Sequence, residues 1–301
     1  MLKKALILLS LVSIIACNST TEEKIENTDN SRTIPLLEKA KKVSVFDRTF
    51  TNKVTKEISD GNFVPMDVLQ SQKIKNIEEN SNVLIKKENG TEMNGNQMYY
   101  YLKERTFVVG SPYLCKNCPE THLSNATAYA ITDDGIILTN YHVIDKNESM
   151  DTSAIFVSDS EGNVYNVTEV LAASQGNDLA ILRINTKGKK LKYIPFAEEE
   201  LLGEDIYLMG HPFGQNYYMS KGIIARKYIN DRDNEPRLAV TAEFGQGSSG
   251  GPFVNTRGEL VAMVAGTYSN YTMNSKEHGY LQMITKEVIP VSSMWKFVKK
   301  Q

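Results

Sequence analysis

From about Met98 onward, short runs of β-forming residues alternate with turns rich in Gly, Asn and Asp. This alternation is typical of β-strands joined by hairpin turns. Regularly spaced strands with few helical patterns between them favour a sandwich or barrel over a parallel βαβ fold. A last amphipathic stretch, 286–300, predicts a terminal helix. The predicted strands are 106–109, 127–132, 135–139, 154–157, 179–184, 205–209, 237–242 and 259–265.

The composition fits a folded protein and excludes several function classes. Hydrophobic residues make up 41% and charged residues 23% of the 301 residues, which excludes wholesale disorder. Lys plus Arg is 34 against 36 Asp plus Glu, and a net charge of −2 argues against a dominant nucleic-acid surface. With 3 Cys and 4 His, the chain is too poor in ligands for a Cys-rich zinc site or a disulfide-dense scaffold. No metal and no cofactor are predicted.

The start of the sequence has the pattern of an export signal. Lys3 and Lys4 precede an apolar run, 5–16, that is too short to cross the roughly 30 Å hydrocarbon core of a bilayer as a helix. Its end, Ile14-Ile15-Ala16-Cys17, resembles the lipobox of bacterial lipoproteins. That resemblance implies removal of residues 1–16 and a lipid on Cys17 that anchors the protein to a bacterial envelope membrane. The alternative is an ordinary signal peptide, with Cys17 a spare thiol.

Two segments separate this signal from the β-rich part. Residues 17–33 are almost devoid of apolar side chains and predict a polar tether that does not fold on its own. Residues 34–97 contain apolar residues at helical spacing, Val68, Leu69 and Ile74 among them. We therefore expect a short α-rich N-terminal extension of unknown role.

Three motifs supply side chains for nucleophilic catalysis. His142 follows a predicted strand in Leu-Thr-Asn-Tyr-His-Val, and Asp178 precedes one in Asn-Asp-Leu-Ala-Ile-Leu. Ser249 lies in the glycine-rich run Gly-Gln-Gly-Ser-Ser-Gly-Gly-Pro. A serine hydroxyl is a weak nucleophile until a base takes its proton, and a carboxylate orients the imidazole that acts as this base. The three residue types and their order therefore indicate a serine hydrolase.

These motifs resemble the trypsin-like serine proteases, and more closely the Deg-type bacterial envelope proteases. The Deg-type patterns are T-N-x-H-V, D-[LI]-A and G-N-S-G-G-P, and this chain departs from the third with Ser248 in place of Asn. The resemblance covers about 98–295 and implies an all-β fold of two six-stranded barrels within a domain at 98–301. Barrel one, about 98–190, then supplies His142 and Asp178, and barrel two, about 191–290, supplies Ser249.

The same resemblance assigns the roles in the site. Ser249 is expected to be the nucleophile, His142 the general base and Asp178 its orienting carboxylate, with Ser248 the less favoured nucleophile. The backbone N–H groups of Gly247 and Ser249 are expected to form the oxyanion hole. Deg-type enzymes usually carry PDZ modules after this domain, and we expect none here because the sequence reaches Gln301 directly after it.

The resemblance also outlines a pocket for the substrate side chain. Glu243 lies six residues before Ser249, near the base of the primary specificity pocket of the trypsin-like fold. An acidic group there favours a basic substrate side chain, unless Glu243 points to solvent. Ala265, Gly266 and Thr267 are expected to form the opposite wall, which indicates an open or small-to-medium pocket.

The pair Cys115-Lys116-Asn117-Cys118 allows more than one interpretation. Past the cytoplasmic membrane thiols tend to be oxidised, and this spacing permits a bridge, so we expect a small structural disulfide. A redox switch is the competing interpretation. His122, His211 and His278 lack partners at metal-ligand spacing and are expected to be structural or surface residues.

The sequence thus predicts a serine endopeptidase that is held at the bacterial envelope and acts on proteins or peptides, with no nucleic-acid partner. One rival is a catalytically silent, protease-like lipoprotein that binds peptides or misfolded proteins. Another is a thiol oxidoreductase centred on Cys115 and Cys118, which lacks the βαβ context of such enzymes.

Overall fold

The computed structural model describes residues 43–114, 120–146, 152–272 and 279–301. The expected signal peptide, the tether, Cys17, His278 and the Cys115–Cys118 pair lie outside the described residues. From Lys41 onward the chain forms one compact unit. None of the described helices combines the length and the apolar character needed to cross a membrane.

Helices dominate the part of the chain before the barrels, as expected for the N-terminal extension. Its elements are α1 Val43–Ser59, α2 Met66–Lys75, β1 Leu84–Ile85 and α3 Gly95–Lys103. The start of α3 is fixed by a capping box, in which the Asn94 side chain accepts from the backbone N–H of Gln97 and the Gln97 side chain accepts from that of Asn94. The predicted boundary at 97/98 falls inside α3.

The extension is part of the core and not an appendage. Phe50 and Val54 of α1 and Leu102 of α3 are buried in the cluster that also contains the interior of barrel two. Met66 and Leu69 of α2 belong to a second cluster, inside and around barrel one. Burying a side chain of this size stabilises a protein by about 1.5–3 kcal/mol, so loss of the extension exposes a substantial apolar surface.

The six strands of barrel one pair in the order β2-β5-β6-β9-β8-β7, and hydrogen bonds between β2 and β7 close the barrel. A small antiparallel hairpin, β3 with β4, is inserted between its first two strands. The strands are β2 Thr106–Gly110, β3 Pro112–Leu114, β4 Thr121–Leu123, β5 Ala126–Ala130, β6 Ile136–Thr139, β7 Phe156–Ser158, β8 Val164–Ser174 and β9 Leu179–Ile184.

Barrel two repeats this topology, in the order β10-β11-β12-β15-β14-β13. The fold class expected from the sequence, two six-stranded β-barrels behind an α-rich extension, is confirmed. The strands are β10 Asp205–Gly210, β11 Tyr218–Ile229, β12 Pro236–Val240, β13 Pro252–Asn255, β14 Leu260–Thr272 and β15 Tyr280–Pro290.

The predicted terminal helix over 286–300 is wrong. The chain stays in β15 to Pro290, forms the one-turn α4 Val291–Met294 and a 3₁₀ turn Trp295–Phe297, and ends in β16 Lys299–Lys300. Val288 is buried because it pairs with Leu238 of β12 and Val264 of β14, so tertiary pairing overrides the helical spacing of the apolar residues. Strand β16 pairs in parallel with β1 of the extension.

Candidate active site

Two strand ends of barrel one bring His142 and Asp178 together. Strands β6 and β9 are antiparallel partners with Thr139 opposite Ala180, so the residue before β9 lies beside the turn that follows β6. His142 Nδ1 is 2.9 Å from Asp178 Oδ2 and 3.1 Å from Oδ1. Asp178 Oδ1 also accepts the backbone N–H of His142 at 3.0 Å. The carboxylate thus fixes the ring and the main chain of the same histidine.

The backbone of Asp178 is held in an unusual conformation. Its φ of +51° lies in the left-handed region, which costs a non-glycine residue about 1–3 kcal/mol where the surroundings enforce it. The Asn140 side chain donates to the Asp178 carbonyl at 2.9 Å, and the Asp178 N–H donates to the Gln175 carbonyl at 3.2 Å. These contacts compensate for the strain and aim the carboxylate at His142.

The electrostatics of the pair keep the imidazole basic. Burial lowers the pKa of His142, but the hydrogen bond that the ring donates to Asp178 and the negative charges of Asp178 and Asp145 outweigh it. The pKa of His142 therefore lies above its ordinary value of 6.5. With Nδ1 engaged by the carboxylate, Nε2 is the ring nitrogen left to exchange a proton with another group.

Ser249 lies on a turn of barrel two that is docked against barrel one. Its carbonyl accepts the N–H of Thr127 at 2.8 Å, and the Thr127 hydroxyl donates to the Gly247 carbonyl at 2.9 Å. A Cβ on Gly250 would come within 2.2 Å of the Thr127 carbonyl oxygen and 2.4 Å of the Thr139 hydroxyl, so only glycine fits there. The turn is thereby pressed against the end of β6, the strand that leads to His142.

The two adjacent serines differ in accessibility. Ser249 is half-buried, whereas Ser248 is fully buried with a hydroxyl that has no hydrogen-bond partner. Ser248 packs under the turn against Gly210, where an added Cβ would meet its hydroxyl at 3.0 Å. Within the described part of the chain, the Ser249 hydroxyl makes no hydrogen bond to His142; such contacts are often loose in free enzymes.

The turn before Ser249 orients the expected oxyanion donors. The Gln246 carbonyl accepts the N–H of Phe213 at 2.7 Å, and since a trans peptide is planar, the Gly247 N–H points the opposite way. Gly247 has φ +96°, and an added Cβ would meet the His211 carbonyl oxygen at 2.5 Å. Among the described residues, no acceptor is bound by the N–H of Gly247 or of Ser249. Both donors are therefore free to bind an oxyanion.

A buried histidine supports this turn, so of the structural and surface roles expected for His211 the structural one applies. His211 is completely buried, and its Nδ1 accepts the N–H of Tyr217 at 3.0 Å. Its carbonyl accepts the side-chain amide of Asn125 at 2.9 Å, beside the surface of Gly247. Burial lowers the pKa of His211 to about 3, so its ring is neutral at ordinary pH.

Helix α2 of the extension contacts the turn that carries His142. The Gln70 side chain donates to the Ile144 carbonyl at 2.6 Å, and the buried Lys73 forms an ion pair with Asp145. The Lys73 ammonium also lies over the Tyr141 ring, 4.6 Å from its centre. These residues are separated from the His142 turn by some 70 positions in sequence, so no local pattern announces the contact.

The segment at the end of α2 also contacts the strand that leads to Asp178. The Asn76 side chain donates to the Val170 carbonyl at 2.6 Å, and the Glu78 N–H donates to the Ala173 carbonyl at 2.7 Å. The Glu78 carboxylate accepts the N–H of Gln175 at 3.2 Å, three residues before Asp178. The extension therefore braces both loops of the His–Asp pair.

The expected pocket residues lie on two segments of barrel two. Ala265 and Gly266 are half-buried and Thr267 is exposed on β14, while Glu243 precedes the Ser249 turn. The Glu243 side chain is 74% exposed, and its carboxylate pairs with the Lys286 ammonium at 2.9 Å. Sequence reasoning missed Lys286, which carries no motif.

Comparison with known proteins shows what this chain is similar to. Residues 126–263 match the trypsin-like peptidase domain. A probable periplasmic serine endoprotease, DegP-like, from Rhizobium meliloti is 30% identical over 150 residues, which is 48% of this chain and 28% of that protein. Its counterpart from Chlamydia pneumoniae is 31% identical over 142 residues, or 46% of this chain and 28% of that protein. A crystal structure of the serine endoprotease from Yersinia pestis is 25% identical with a TM-score of 0.49, over 68% of this chain and 65% of that one.

The matched segment thus spans less than a third of the length of these two curated relatives. The segment 126–263, which matches the trypsin-like peptidase domain, contains His142, Asp178 and Ser249. Residues 126–263 are therefore similar to the trypsin-like peptidase domain, and the chain shows distant similarity to DegP-like serine endoproteases.

Proposed function

We propose that the protein is a serine endopeptidase that hydrolyses peptide bonds through an acyl-enzyme intermediate. The observation that carries the proposal is the His142–Asp178 contact of 2.9 Å, on the barrel against which the Ser249 turn is docked. A paired imidazole, an accessible serine and two backbone donors without acceptors are the groups that acyl transfer needs.

In the proposed mechanism, the Ser249 hydroxyl attacks the substrate carbonyl while Nε2 of His142 takes its proton. Asp178 holds the other ring nitrogen and stabilises the imidazolium. The N–H groups of Gly247 and Ser249 bind the developing oxyanion. His142 then gives its proton to the leaving amine. In the second half, His142 takes a proton from water, which attacks the acyl-enzyme, and His142 then returns that proton to the Ser249 oxygen as the carboxylic acid product leaves.

The decisive experiment is labelling with a fluorophosphonate, which reacts only with an activated serine. We expect the wild-type protein and Ser248→Ala to be labelled, and Ser249→Ala to remain unlabelled. Peptide hydrolysis by Ser249→Ala should fall to the residual level of about 10³–10⁴-fold over water that binding and the oxyanion hole provide. Labelling that persists in Ser249→Ala and disappears in Ser248→Ala contradicts the assignment of the nucleophile.

A second candidate is a catalytically silent lipoprotein that binds peptides or misfolded proteins in the same cleft. It is favoured by one observation: among the described residues, no hydrogen bond joins the Ser249 hydroxyl to His142. A wild-type protein that binds peptides, resists the fluorophosphonate and hydrolyses nothing would establish this candidate in place of the peptidase.

We also propose that the protein acts at the bacterial envelope, anchored by a lipid on Cys17. The support is the lipobox-like Ile14-Ile15-Ala16-Cys17 and the relatives described as periplasmic. Cys17→Ser should release a soluble protein or leave an uncleaved precursor. The intact mass of the wild-type mature chain decides the point, because a Cys17 without added acyl mass rejects the anchor.

A further inference from the structure

Lys286 connects the two segments that were expected to form the specificity pocket. It lies on β15, where its backbone partners are Thr267 on β14 and Val240 on β12. Its ammonium donates to the Phe244 carbonyl at 2.5 Å, five residues before Ser249. The same ammonium pairs with Glu243 at 2.9 Å. A positive charge therefore lies between the Ser249 segment and the β14 wall.

The two members of this ion pair are unequally exposed. The Lys286 side chain is 8% exposed and the Glu243 side chain is 74% exposed. Moving Glu243 into solvent restores its hydration, whereas Lys286 has no such path, and a buried cation needs an anion or several acceptors. Glu243 is thus an exchangeable counterion, and Lys286 is the fixed charge.

The surrounding charges leave Lys286 available to a new anion. Its neighbour Glu287 points to the opposite face of β15, as alternation along a strand requires. Glu287 is already bound by the hydroxyls of Tyr228, at 2.5 Å, and Tyr268, at 3.1 Å. Among the described residues, Glu243 is the carboxylate within ion-pair distance of Lys286.

The wall opposite has room for a substrate side chain. Thr267, which pairs with Lys286 across the two strands and therefore lies on the same face, is exposed to solvent. A substrate that fills this space covers the Lys286–Glu243 pair and excludes water from it, which strengthens every charge interaction there. A substrate Lys or Arg side chain in that position is repelled by Lys286. A substrate carboxylate, by contrast, replaces Glu243 as the partner of Lys286.

We propose that Lys286 determines the substrate class of this site: it selects peptides with Glu or Asp on the amino side of the scissile bond, the P1 position, and rejects Lys and Arg. This inference rests on the proposed peptidase function. It differs from the basic preference that Glu243 alone would give, because the buried partner and not the exposed one sets the charge that the substrate meets.

The test uses a set of peptides that differ only in P1, with Glu, Gln, Ala or Arg. We expect the wild-type protein to cleave the Glu peptide with a kcat/KM at least about tenfold above that for Gln, a ratio that corresponds to about 1.4 kcal/mol. Lys286→Met should abolish that ratio, and Lys286→Arg should keep it. Glu243→Gln should raise kcat/KM for the Glu peptide several-fold, since it removes the competing carboxylate.

The control is Lys192→Met, at an exposed lysine that pairs with Glu104 at 2.6 Å, and it should keep the wild-type ranking of peptides. Fluorophosphonate labelling of each variant shows whether its nucleophile is intact. If Lys286→Met is not labelled, the wild-type ranking and Glu243→Gln decide the question.

Two failures are distinguishable. A wild-type protein that is neither labelled nor active overturns the proposed peptidase function itself. A labelled, active protein that cleaves the Gln, Ala or Arg peptide as fast as the Glu peptide, or a Lys286→Met variant with an unchanged ratio, overturns the role of Lys286 alone.

Discussion

One carboxylate, that of Asp178, binds His142 twice, through the ring at 2.9 Å and through the backbone N–H at 3.0 Å. The ring therefore cannot rotate away from Asp178 without leaving the carboxylate partly unsatisfied, while the backbone contact keeps the turn in place. This double contact links the charge state of the imidazole to its position.

The first prediction concerns the dependence of activity on pH. The base must be neutral to accept a proton, and the pKa of His142 is raised, so the acid limb of kcat/KM should lie above pH 6.5. Asp178→Asn should move this limb to lower pH and reduce kcat by about 10⁴-fold. Rates measured from pH 5 to 9 check both effects. A variant with near-wild-type kcat would show that another carboxylate orients His142.

The raised pKa of His142 also makes the stability of the fold depend on pH. Because the folded pKa is raised, the protonated pair stabilises the fold below about pH 6.5, and this contribution is lost as the pH rises through the folded value. Urea unfolding of wild type and Asp178→Asn across this range measures the difference.

A second prediction concerns the turn that carries the expected oxyanion donors, the N–H groups of Gly247 and Ser249. Gly247→Ala forces a side chain onto φ +96° and against the His211 carbonyl, so the turn must shift. We expect kcat to fall by about 100–1000-fold, the effect of losing one oxyanion donor. Gly188→Ala is the matched control, since Gly188 has φ +83° but open space around it. Equal losses in the two variants would assign the effect to backbone strain in general.

A third prediction concerns Lys73 of helix α2, a positioning residue. Lys73→Met removes the partner of Asp145, whose negative charge already raises the pKa of His142. We expect about a tenfold lower kcat with little change in KM, and an acid limb displaced to higher pH. Lys75→Met, at an exposed position of the same helix, should leave both unchanged. A Lys73→Met variant that only lowers the Tm would reduce Lys73 to a structural role.

A fourth prediction concerns His211 and acid stability. Its pKa is about 3 in the folded protein against about 6.5 when unfolded, so the unfolded chain binds an additional proton between these values. Stability should therefore fall as the pH drops from 6.5 towards 3, by at most about 1.4 kcal/mol per pH unit from this group. In His211→Gln the free energy of unfolding should vary less steeply over this window. Parallel curves for the two proteins would contradict the assignment.

The sequence predicted the features that local patterns encode. The turn after β6, the turn before β9 and the glycine-rich run near Ser249 each lie at a strand end, and the structure brings His142 to Asp178 as those strand ends imply. Strand β8 was missed although apolar and polar residues alternate along much of it, and the terminal helix was wrong because Val288 is buried by pairing on both sides.

Long-range contacts account for the rest. Lys73 meets Asp145 from 72 positions away, and Lys286 meets Glu243 from 43 positions away. Each is an ordinary lysine in its local sequence, and its role depends only on which side chains the barrels and the extension place next to it.

The parallel pairing of β1 with β16 has a consequence for the order in which the protein folds during synthesis. Ser81 donates to the Phe297 carbonyl at 2.9 Å through its N–H, and Leu84 lies opposite Lys299, more than 200 residues later in the chain. During synthesis the extension precedes the barrels, yet it cannot complete these contacts until residues 297–300 have been translated. Helix α2, which braces the His142 and Asp178 loops, belongs to the same extension. The extension therefore completes its pairing with β16 only after both barrels have been synthesised.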